Sequence, residues 1–159
     1  MRPMRRKDRE ITADEALAVA DKCVYAVLST VSGDLSPYGI PVSIAREGEA
    51  VYFHGALEGH KTDNLRRENR VCLVCVGDVR EPPDQFTVVY ESAVIFGTAH
   101  EVTGDEEKLR ALRLICERHT PSHMAAFEKE AAEGLKRTAV WSVHIDGISG
   151  KRHPSLRGS

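Results

Sequence analysis

The residues best suited to chemistry are a histidine and a lysine at the start of one helix. The segment 51–64 reads as a strand, a glycine-containing turn and then a helix with His60 and Lys61 in its first turn. A helix N-terminus carries unpaired N–H groups and a partial positive charge, so a lysine there is stabilised when an anion lies between them. The pattern therefore indicates a phosphate site. The alternative is a solvated loop with two ordinary surface cations.

A second candidate lies in a predicted strand that contains two prolines. Pro37 and Pro41 both fall within 36–45, and a proline donates no hydrogen bond to a β-ladder. Main-chain groups around Pro41, Val42 and Ser43 are therefore available to a planar heteroaromatic ligand, with the Ser43 hydroxyl as a further partner. The alternative is an edge strand in which proline prevents aggregation.

Two further polar side chains are candidates for ligand contact. His54 ends a strand and is followed at once by Gly55, so its imidazole is a candidate proton donor. A structural hydrogen bond is the commoner reason for such a histidine. In the predicted strand 86–102, Glu91 and Ser92 point to opposite faces. Ser92 is the better ligand candidate because it has no charge to desolvate.

The cysteine and histidine spacings do not favour a metal site. Cys72 and Cys75 form a C-x-x-C pair, but in a strand residues three apart face opposite ways, and no second ligand pair follows. Reduced thiols packed in the core are the better interpretation. His119 and His123 have helical ligand spacing, but Pro121 interrupts the helix between them. The motifs of α/β-hydrolases, Walker-loop proteins, zinc proteases and Rossmann domains do not occur.

Size and charge narrow the class of protein. The chain has 159 residues, of which 42% are hydrophobic and 29% charged, as expected for one globular domain. A net charge of −2 gives no basic surface for nucleic acid. The longest apolar run falls short of the roughly 18 residues of a membrane helix, and the basic start is followed by Asp8 and Glu10 rather than by an apolar signal core. We therefore expect a cytoplasmic protein with neither nucleic-acid nor membrane partners.

The elements that position these residues read as a small antiparallel barrel. Thr12 and Glu15 have the spacing of a capping box at the start of a helix. Helices are predicted at 12–22, at 59–69, from 105 onwards and at 121–134. Strands are predicted at 24–31, 36–45, 50–54, 71–77, 86–102 and 138–146. Strands grouped by hairpins favour a mainly β (α+β) fold, a six-stranded antiparallel barrel with peripheral helices. We expect a single domain over 1–159 with a flexible tail from about residue 150.

Taken together and in order, the motifs resemble those of a known family. They are Pro37-Tyr-Gly-Ile-Pro41-Val-Ser43, Tyr52-Phe-His54-Gly-Ala56, Gly59-His-Lys61 with Asn64-Leu65, and Tyr90-Glu-Ser92 with Phe96-Gly97. The series covers nearly the whole chain. It resembles the FMN-binding split barrels of the pyridoxamine 5'-phosphate oxidase-like superfamily, and within it the branch of nitroimidazole-resistance (Nim-like) proteins.

This resemblance implies a homodimer with two FMN sites at the subunit interface, each built from both chains. His60 and Lys61 would bind the FMN phosphate, and His54 would contact the substrate or donate a proton. The residues that the resemblance assigns to cofactor binding are Pro41, Val42, Ser43, His54, Gly55, His60, Lys61, Asn64, Ser92 and Trp141.

The activity implied is that of an FMN-dependent oxidoreductase that reduces a small planar acceptor, as nitroimidazole reductases do. Two departures matter: Lys151-Arg152-His153 does not match the substrate-binding arginine and histidine of true pyridoxamine phosphate oxidases, and a His-Lys pair replaces their Arg-Lys phosphate pair. Vitamin B6 oxidation is therefore not expected. Without the arginine, whose guanidinium group can form two hydrogen bonds to a phosphate, FMN binding would be weaker. The alternatives are a non-catalytic flavin-binding or sensing protein, and a split barrel that binds deazaflavin or haem.

Overall fold

An antiparallel sheet of eight strands forms the framework of the protein in the computed structural model, which describes residues 3–156. The strands are β1 (Glu10–Ile11), β2 (Ala26–Val31), β3 (Pro37–Val42), β4 (Ile44–Glu47), β5 (Ala50–Ala56), β6 (Arg70–Arg80), β7 (Val89–Glu101) and β8 (Thr138–Arg152). Their order is β3-β2-β6-β7-β8-β5-β4, and β1 pairs with β8. The predicted mainly β antiparallel class is confirmed.

Helices lie around this sheet, and most begin where the sequence predicts. They are α1 (Ala13–Lys22), α2 (His60–Arg67), α3 (Asp105–His119) and α4 (Phe127–Gly134). The capping box of α1 is present: Glu15 N–H donates to Thr12 Oγ1 at 3.2 Å, and Thr12 N–H donates to Glu15 Oε2 at 2.9 Å. The predicted helix 121–134 is wrong over its first half, which forms a 3-10 helix at Pro121–Ala126.

The strand count differs from the six predicted because one predicted strand divides and a short one is added. The segment 36–45 changes partner at Ser43: β3 pairs with β2, whereas β4 pairs with β5 at the other end of the strand order. The chain therefore passes from one edge of the sheet to the other within a single residue and joins the two edges. Side-chain alternation continues through such a bend, so the sequence pattern reads it as one strand.

The last strand extends six residues beyond its predicted end at Asp146. Gly150 and Lys151, expected within the flexible tail, pair with Ile11 and Glu10 of β1, and Lys151 also pairs with Ser92 of β7. Glycines at 147 and 150 hide this part of the strand from a pattern based on side chains. At Gly150 a Cβ would lie 2.7 Å from Ile11 Cγ1, so the close approach of β1 requires glycine.

The core has two parts. The inside of the barrel, closed at one side by α1, contains a large apolar cluster that includes Phe53, Leu73, Ile95 and Trp141. A smaller cluster around Tyr52 and Ala111 lies between α3 and the face of β4, β5 and β8. Within residues 3–156, no helix has the length and apolar character needed to span a bilayer.

One acidic side chain is buried where α1 meets the sheet. Glu91 is only 2% exposed and forms ion pairs with Lys22 of α1 and with Arg152 Nε at 2.8 Å. Its Oε1 also accepts the Asp78 N–H at 3.2 Å. Arg152 in turn contacts Glu15 at 2.6 Å. The carboxylate therefore fastens α1 to β6, β7 and the end of β8.

Candidate functional site

The N-terminus of α2 has the features of an anion site. Gly59 precedes the helix at φ 124°, and no side chain of the described residues caps it. The first helical hydrogen bond is donated by Asp63 to the Gly59 carbonyl, which leaves the N–H groups of the first turn, from His60 onwards, without helical acceptors. These groups and the helix dipole together favour a bound anion.

The ammonium group of Lys61 lies against the end of β5. Its Nζ is 3.5 Å from the carbonyl oxygen of His54 and 5.5 Å from the centre of the Phe53 ring. Among the residues that the structure describes, no carboxylate forms an ion pair with it. The side chain is half-buried, and this burial lowers the pKa of Lys61. A partly desolvated cation without a counter-charge is stabilised by an anionic ligand.

Gly55 creates the space that Lys61 occupies. A Cβ at position 55 would lie 2.4 Å from Lys61 Nζ and 3.0 Å from its Cε. Any other residue would therefore push the ammonium group away from the end of β5. The structure thus gives the predicted pair of Gly55 and Lys61 a direct steric connection.

His60 and Asn64 face β2 rather than solvent alone. His60 Nε2 forms a hydrogen bond with Ser32 Oγ at 2.9 Å, and its ring stacks on Tyr38 with centroids 4.0 Å apart. Asn64 is buried and donates to Thr30 Oγ1 at 3.0 Å. These contacts fix the position of α2 on the barrel. Ser32 and Tyr38 were not identified as site residues from the sequence, because their contacts with His60, 28 and 22 positions away, leave no local pattern.

Pro41, Val42 and Ser43 line a shallow cavity of about 500 Å³ where the chain crosses between the sheet edges. Continuing the β4–β5 register by one pair beyond Ile44 and Phe53 places Ser43 opposite His54. The predicted ring-binding segment and the predicted catalytic histidine are therefore neighbours.

The surroundings of His54 favour its uncharged form. Burial, and then the charges of Lys61 and His119, lower the pKa of His54. His119 is held at the end of α3, where its Nε2 lies 2.8 Å from the carbonyl oxygen of Ile44. At neutral pH the His54 imidazole can donate through one ring nitrogen and accept through the other.

Ser92 lies apart from this group, and Trp141 is buried in the barrel core. Ser92 lines a separate cavity of about 1070 Å³, which also includes Arg5, Glu10 and Lys151. Trp141 is 2% exposed, stands opposite Phe53 in the barrel core, and its indole Nε1 has no partner within residues 3–156. A single chain therefore brings together the residues around Lys61 and Ser43, but does not add Ser92 or Trp141 to them. The roles of these two residues in cofactor binding stay predictions.

The outer face of the sheet connects the two cavities. Cross-strand pairing aligns Pro41, Val27, Val74 and Val94 in one row across β3, β2, β6 and β7, and Val76 with Ser92 in the next. The outer face consists of Val27, Ser29, Cys72, Val74, Val76, Ser92, Val94 and Phe96. Phe96 and Val76 are 46% and 47% exposed. This is a continuous, largely apolar surface.

The two thiols of the C-x-x-C pair point to opposite faces of β6, as predicted. Cys72 belongs to the outer face and Cys75 to the core. In the part of the chain that the structure describes, three or more histidine, cysteine, aspartate or glutamate side chains do not come together as metal ligands.

Comparison with protein families agrees with this geometry. A family model described as pyridoxamine 5'-phosphate oxidase matches residues 12–152. The chain belongs to the pyridoxamine 5'-phosphate oxidase family. The match includes every residue assigned above to the cofactor. A search of the curated proteins returns no match.

Solved structures share the fold of this family member at low sequence identity. A proposed 5-nitroimidazole antibiotic resistance protein from Bacteroides thetaiotaomicron has a TM-score of 0.73 and 22% identity over 89% of this chain and 85% of that one. An FAD and heme binding protein from Mycobacterium smegmatis has a TM-score of 0.77 and 22% identity over 92% and 74% of the two chains. A flavocytochrome from Azotobacter vinelandii has a TM-score of 0.75 and 23% identity over 95% and 72%.

Proposed function

We propose that this protein is an FMN-dependent oxidoreductase that reduces a small planar acceptor, and that it works as a cytoplasmic homodimer. The observation that carries the proposal is the half-buried Lys61 ammonium group, which lies beside Gly55 at an uncapped helix N-terminus without a carboxylate partner among the described residues. A phosphate bound there would supply the missing negative charge and accept hydrogen bonds from the N–H groups of the first turn of α2.

The residues around this point fit the rest of an FMN molecule. The ammonium group of Lys61 and the first-turn N–H groups would hold the phosphate, while the His60 ring, fixed by Ser32 and Tyr38, stiffens the start of α2. The Pro41–Ser43 main chain and the Ser43 hydroxyl would contact the flavin ring. When bound, FMN would supply the electron-transfer chemistry, and the protein would supply position and hydrogen bonds.

His54 is the proposed contact for the acceptor. It lies next to Ser43 by register, and its lowered pKa keeps the imidazole uncharged at neutral pH. An uncharged imidazole can donate a hydrogen bond to a carbonyl or nitro oxygen without adding a second positive charge beside Lys61. The family match and the likeness to a proposed nitroimidazole-resistance protein support the choice of a nitro compound as the first acceptor to test.

The outer face supports the homodimer. It is largely apolar and partly exposed, and it carries both Ser92 and the Pro41 edge of the smaller cavity. A second copy packed on this surface would remove the apolar area from water and bring residues of two chains to one ligand. This arrangement would give Ser92 the cofactor contact that it does not share with Lys61 inside one protomer.

A titration with FMN tests the proposal. We expect FMN to bind the wild-type protein and the Lys61→Ala variant to bind about 10- to 100-fold more weakly, because one charge-assisted hydrogen bond contributes about 1.5–3 kcal/mol. Lys129→Ala, which removes an exposed lysine of α4, is the matched control and should bind FMN as the wild type does. Quenching of FMN fluorescence measures all three affinities.

Turnover and absorbance then separate the alternatives. Oxidation of reduced FMN by a nitro compound, faster with the protein than without it, would support the oxidoreductase. FMN binding without turnover would favour the flavin-sensing alternative. Some proteins of this fold are described as binding haem or FAD. If the purified protein shows the absorbance spectrum of haem or deazaflavin and a titration detects no binding of FMN, FMN is not the cofactor.

A further inference from the structure

Two buried thiols that the proposed flavin chemistry does not use belong to the same apolar cluster. Cys23 follows the last residue of α1. Cys75 lies on the inward face of β6, where it pairs with Ala26, three residues after Cys23. Both are almost fully buried members of the main apolar cluster, and the Cys23 thiol donates to the Ala20 carbonyl oxygen at 3.3 Å. Membership of one cluster and the pairing of Ala26 with Cys75 therefore place the two thiols near each other.

A guanidinium group holds one member of this pair. Arg118 of α3 donates to the carbonyl oxygens of Ala20 at 2.9 Å and of Cys23 at 2.6 Å, and its Nη2 lies 3.7 Å from Cys23 Sγ. The charge is thus placed against Cys23 rather than Cys75. An adjacent arginine stabilises a thiolate, which is the reactive form of cysteine.

From this arrangement we propose that Cys23 and Cys75 are a peroxide-sensitive redox couple, in which Cys23 is oxidised first and is then joined to Cys75 by a reversible disulfide. Neither thiol is among the residues assigned to the cofactor, so the couple does not depend on the proposed function.

The ionisation of the two thiols agrees with these roles. The hydrogen bond from Cys75, and then the charge and hydrogen bond of Arg118, lower the pKa of Cys23 to about 7, although burial and Asp21 oppose the shift. The same hydrogen bond and burial raise the pKa of Cys75. Cys23 is therefore the nucleophile, and Cys75 keeps its proton until a disulfide forms.

The other two cysteines lack this environment. Burial raises the pKa of Cys72, which lies on the outer face of β6. Cys116 is on α3, and among residues 3–156 no arginine donates a hydrogen bond to its thiol as Arg118 does to that of Cys23. We therefore expect both to react with peroxide more slowly than Cys23.

The reaction balances with hydrogen peroxide as the oxidant. The Cys23 sulfur attacks one peroxide oxygen, the O–O bond breaks, and a sulfenic acid and one water form. The Cys75 sulfur then attacks the Cys23 sulfur, the S–O bond breaks, and a second water leaves with the Cys75 proton. Two thiols are oxidised to a disulfide, and one peroxide is reduced to two waters.

Access of a small oxidant to Cys23 requires local opening at the end of α1. Cys23 itself is 2% exposed, but the next residues, Val24 and Tyr25, are 79% and 55% exposed. Opening of the last helical turn, which Arg118 holds by its carbonyl oxygens, would expose the sulfur to a molecule the size of peroxide. The disulfide would then tie the C-terminal end of α1 to β6.

Mass spectrometry of the native protein tests the couple. After brief exposure to hydrogen peroxide and alkylation of the remaining thiols, we expect a loss of two hydrogen atoms, two alkylated cysteines instead of four, and a peptide that links Cys23 to Cys75. Dithiothreitol should restore all four thiols. The rate of loss should rise with pH through about 7.

Variants assign the roles. Cys75→Ser should leave Cys23 as a sulfenic acid that dimedone traps, whereas Cys72→Ser, the matched control on the same strand, should still form the disulfide. Arg118→Lys keeps a positive charge but loses the planar guanidinium group that donates to the Ala20 and Cys23 carbonyl oxygens. It should slow oxidation of Cys23 at neutral pH severalfold. A disulfide or oxidation that appears first at Cys72 or Cys116, or a Cys23 that reacts no faster in native than in urea-unfolded protein, would overturn the proposal.

Discussion

At the scale of single residues, the position of Lys61 depends on the absence of a side chain at Gly55. The ammonium group is partly desolvated and occupies the volume that a Cβ of Gly55 would fill. The sequence identified both residues through their motif. It did not show that one excludes the other, because the two side chains meet only when α2 folds back on β5.

The Gly55→Ala variant tests this steric relation. We expect FMN affinity to fall about 10-fold or more, because the ammonium group must move away from the end of β5 while the fold survives. A fluorescence titration measures the affinity, and urea unfolding checks stability. Gly104→Ala is the control, since a Cβ there meets no atom within 4 Å. Equal loss of affinity in both variants would contradict the role of Gly55.

The lowered pKa of His54 predicts an acid-sensitive contribution to stability. The unfolded chain takes up a proton at this histidine near the ordinary pKa of 6.5, whereas the folded protein resists it because of burial and the charges of Lys61 and His119. Between the two pKa values the unfolded state binds more protons, so stability falls as the pH decreases below 6.5. Above that pH the contribution disappears.

Comparison of the wild type with His54→Gln isolates this effect. We expect the variant to gain stability relative to the wild type when the pH is lowered from about 8 to about 5. Urea unfolding at each pH measures the difference, and the other histidines cancel in the comparison. A difference that does not change with pH would show that the folded protein protonates His54 normally. Bound phosphate or FMN should reduce the effect, because an anion at Lys61 weakens the repulsion.

At the scale of elements, a buried carboxylate connects one helix to three strands. Glu91 is approached by Lys22, Arg152 and the Asp78 N–H. Burial would raise the pKa of Glu91, but the hydrogen bonds from these groups outweigh it and lower the pKa. Its contribution to stability is therefore present above the ordinary value of 4.5 and is lost as the pH falls through the folded value.

Replacement by the neutral isostere measures this contribution. We expect Glu91→Gln to lower the free energy of unfolding by about 1–3 kcal/mol at neutral pH, since Lys22 and Arg152 remain partly solvated and keep second partners. The difference from the wild type should shrink below pH 4.5. Urea unfolding across this range is the measurement, and Glu117→Gln, an exposed change on α3, is the control. A loss that persists unchanged in acid would contradict a role for the charge.

The elements also show what the sequence could and could not predict. The capping box at Thr12 and the opposite orientations of Cys72 and Cys75 follow from local spacing, and both appear in the structure. The exchange of partners at Ser43 and the continuation of β8 past Gly147 do not follow from local spacing. The first depends on which distant strand lies alongside, and the second on glycines that carry no side-chain pattern.

At the scale of the whole molecule, the outer face is the surface on which the proposed dimer depends. Its apolar residues cover strands β2, β6 and β7, and the cavities with Ser43 and Ser92 open at its two sides. The fold accounts for the apolar character of the barrel interior but not for that of this exposed surface. A second copy of the chain packed on this surface would account for its apolar character.

A charge in this surface should dissociate the dimer. We expect Phe96→Asp to convert a homodimer into a monomer, because a carboxylate at the 46% exposed Phe96 would be desolvated at the interface. Light scattering after size-exclusion chromatography measures the mass. Phe86→Asp is the matched control, since Phe86 is fully exposed and lies outside the strands. Equal masses for both variants and the wild type would contradict an interface at the outer face.

The barrel core also contains a natural optical label. Trp141 is the single tryptophan of the chain, and it lies opposite Phe53, the ring above which the Lys61 ammonium group sits. Because its indole N–H has no acceptor in the described part of the chain and its ring is shielded from water, its emission should be shifted to short wavelengths. One chromophore therefore reports on closure of the barrel without background from the surface. Every unfolding measurement described above can be followed in the unlabelled protein.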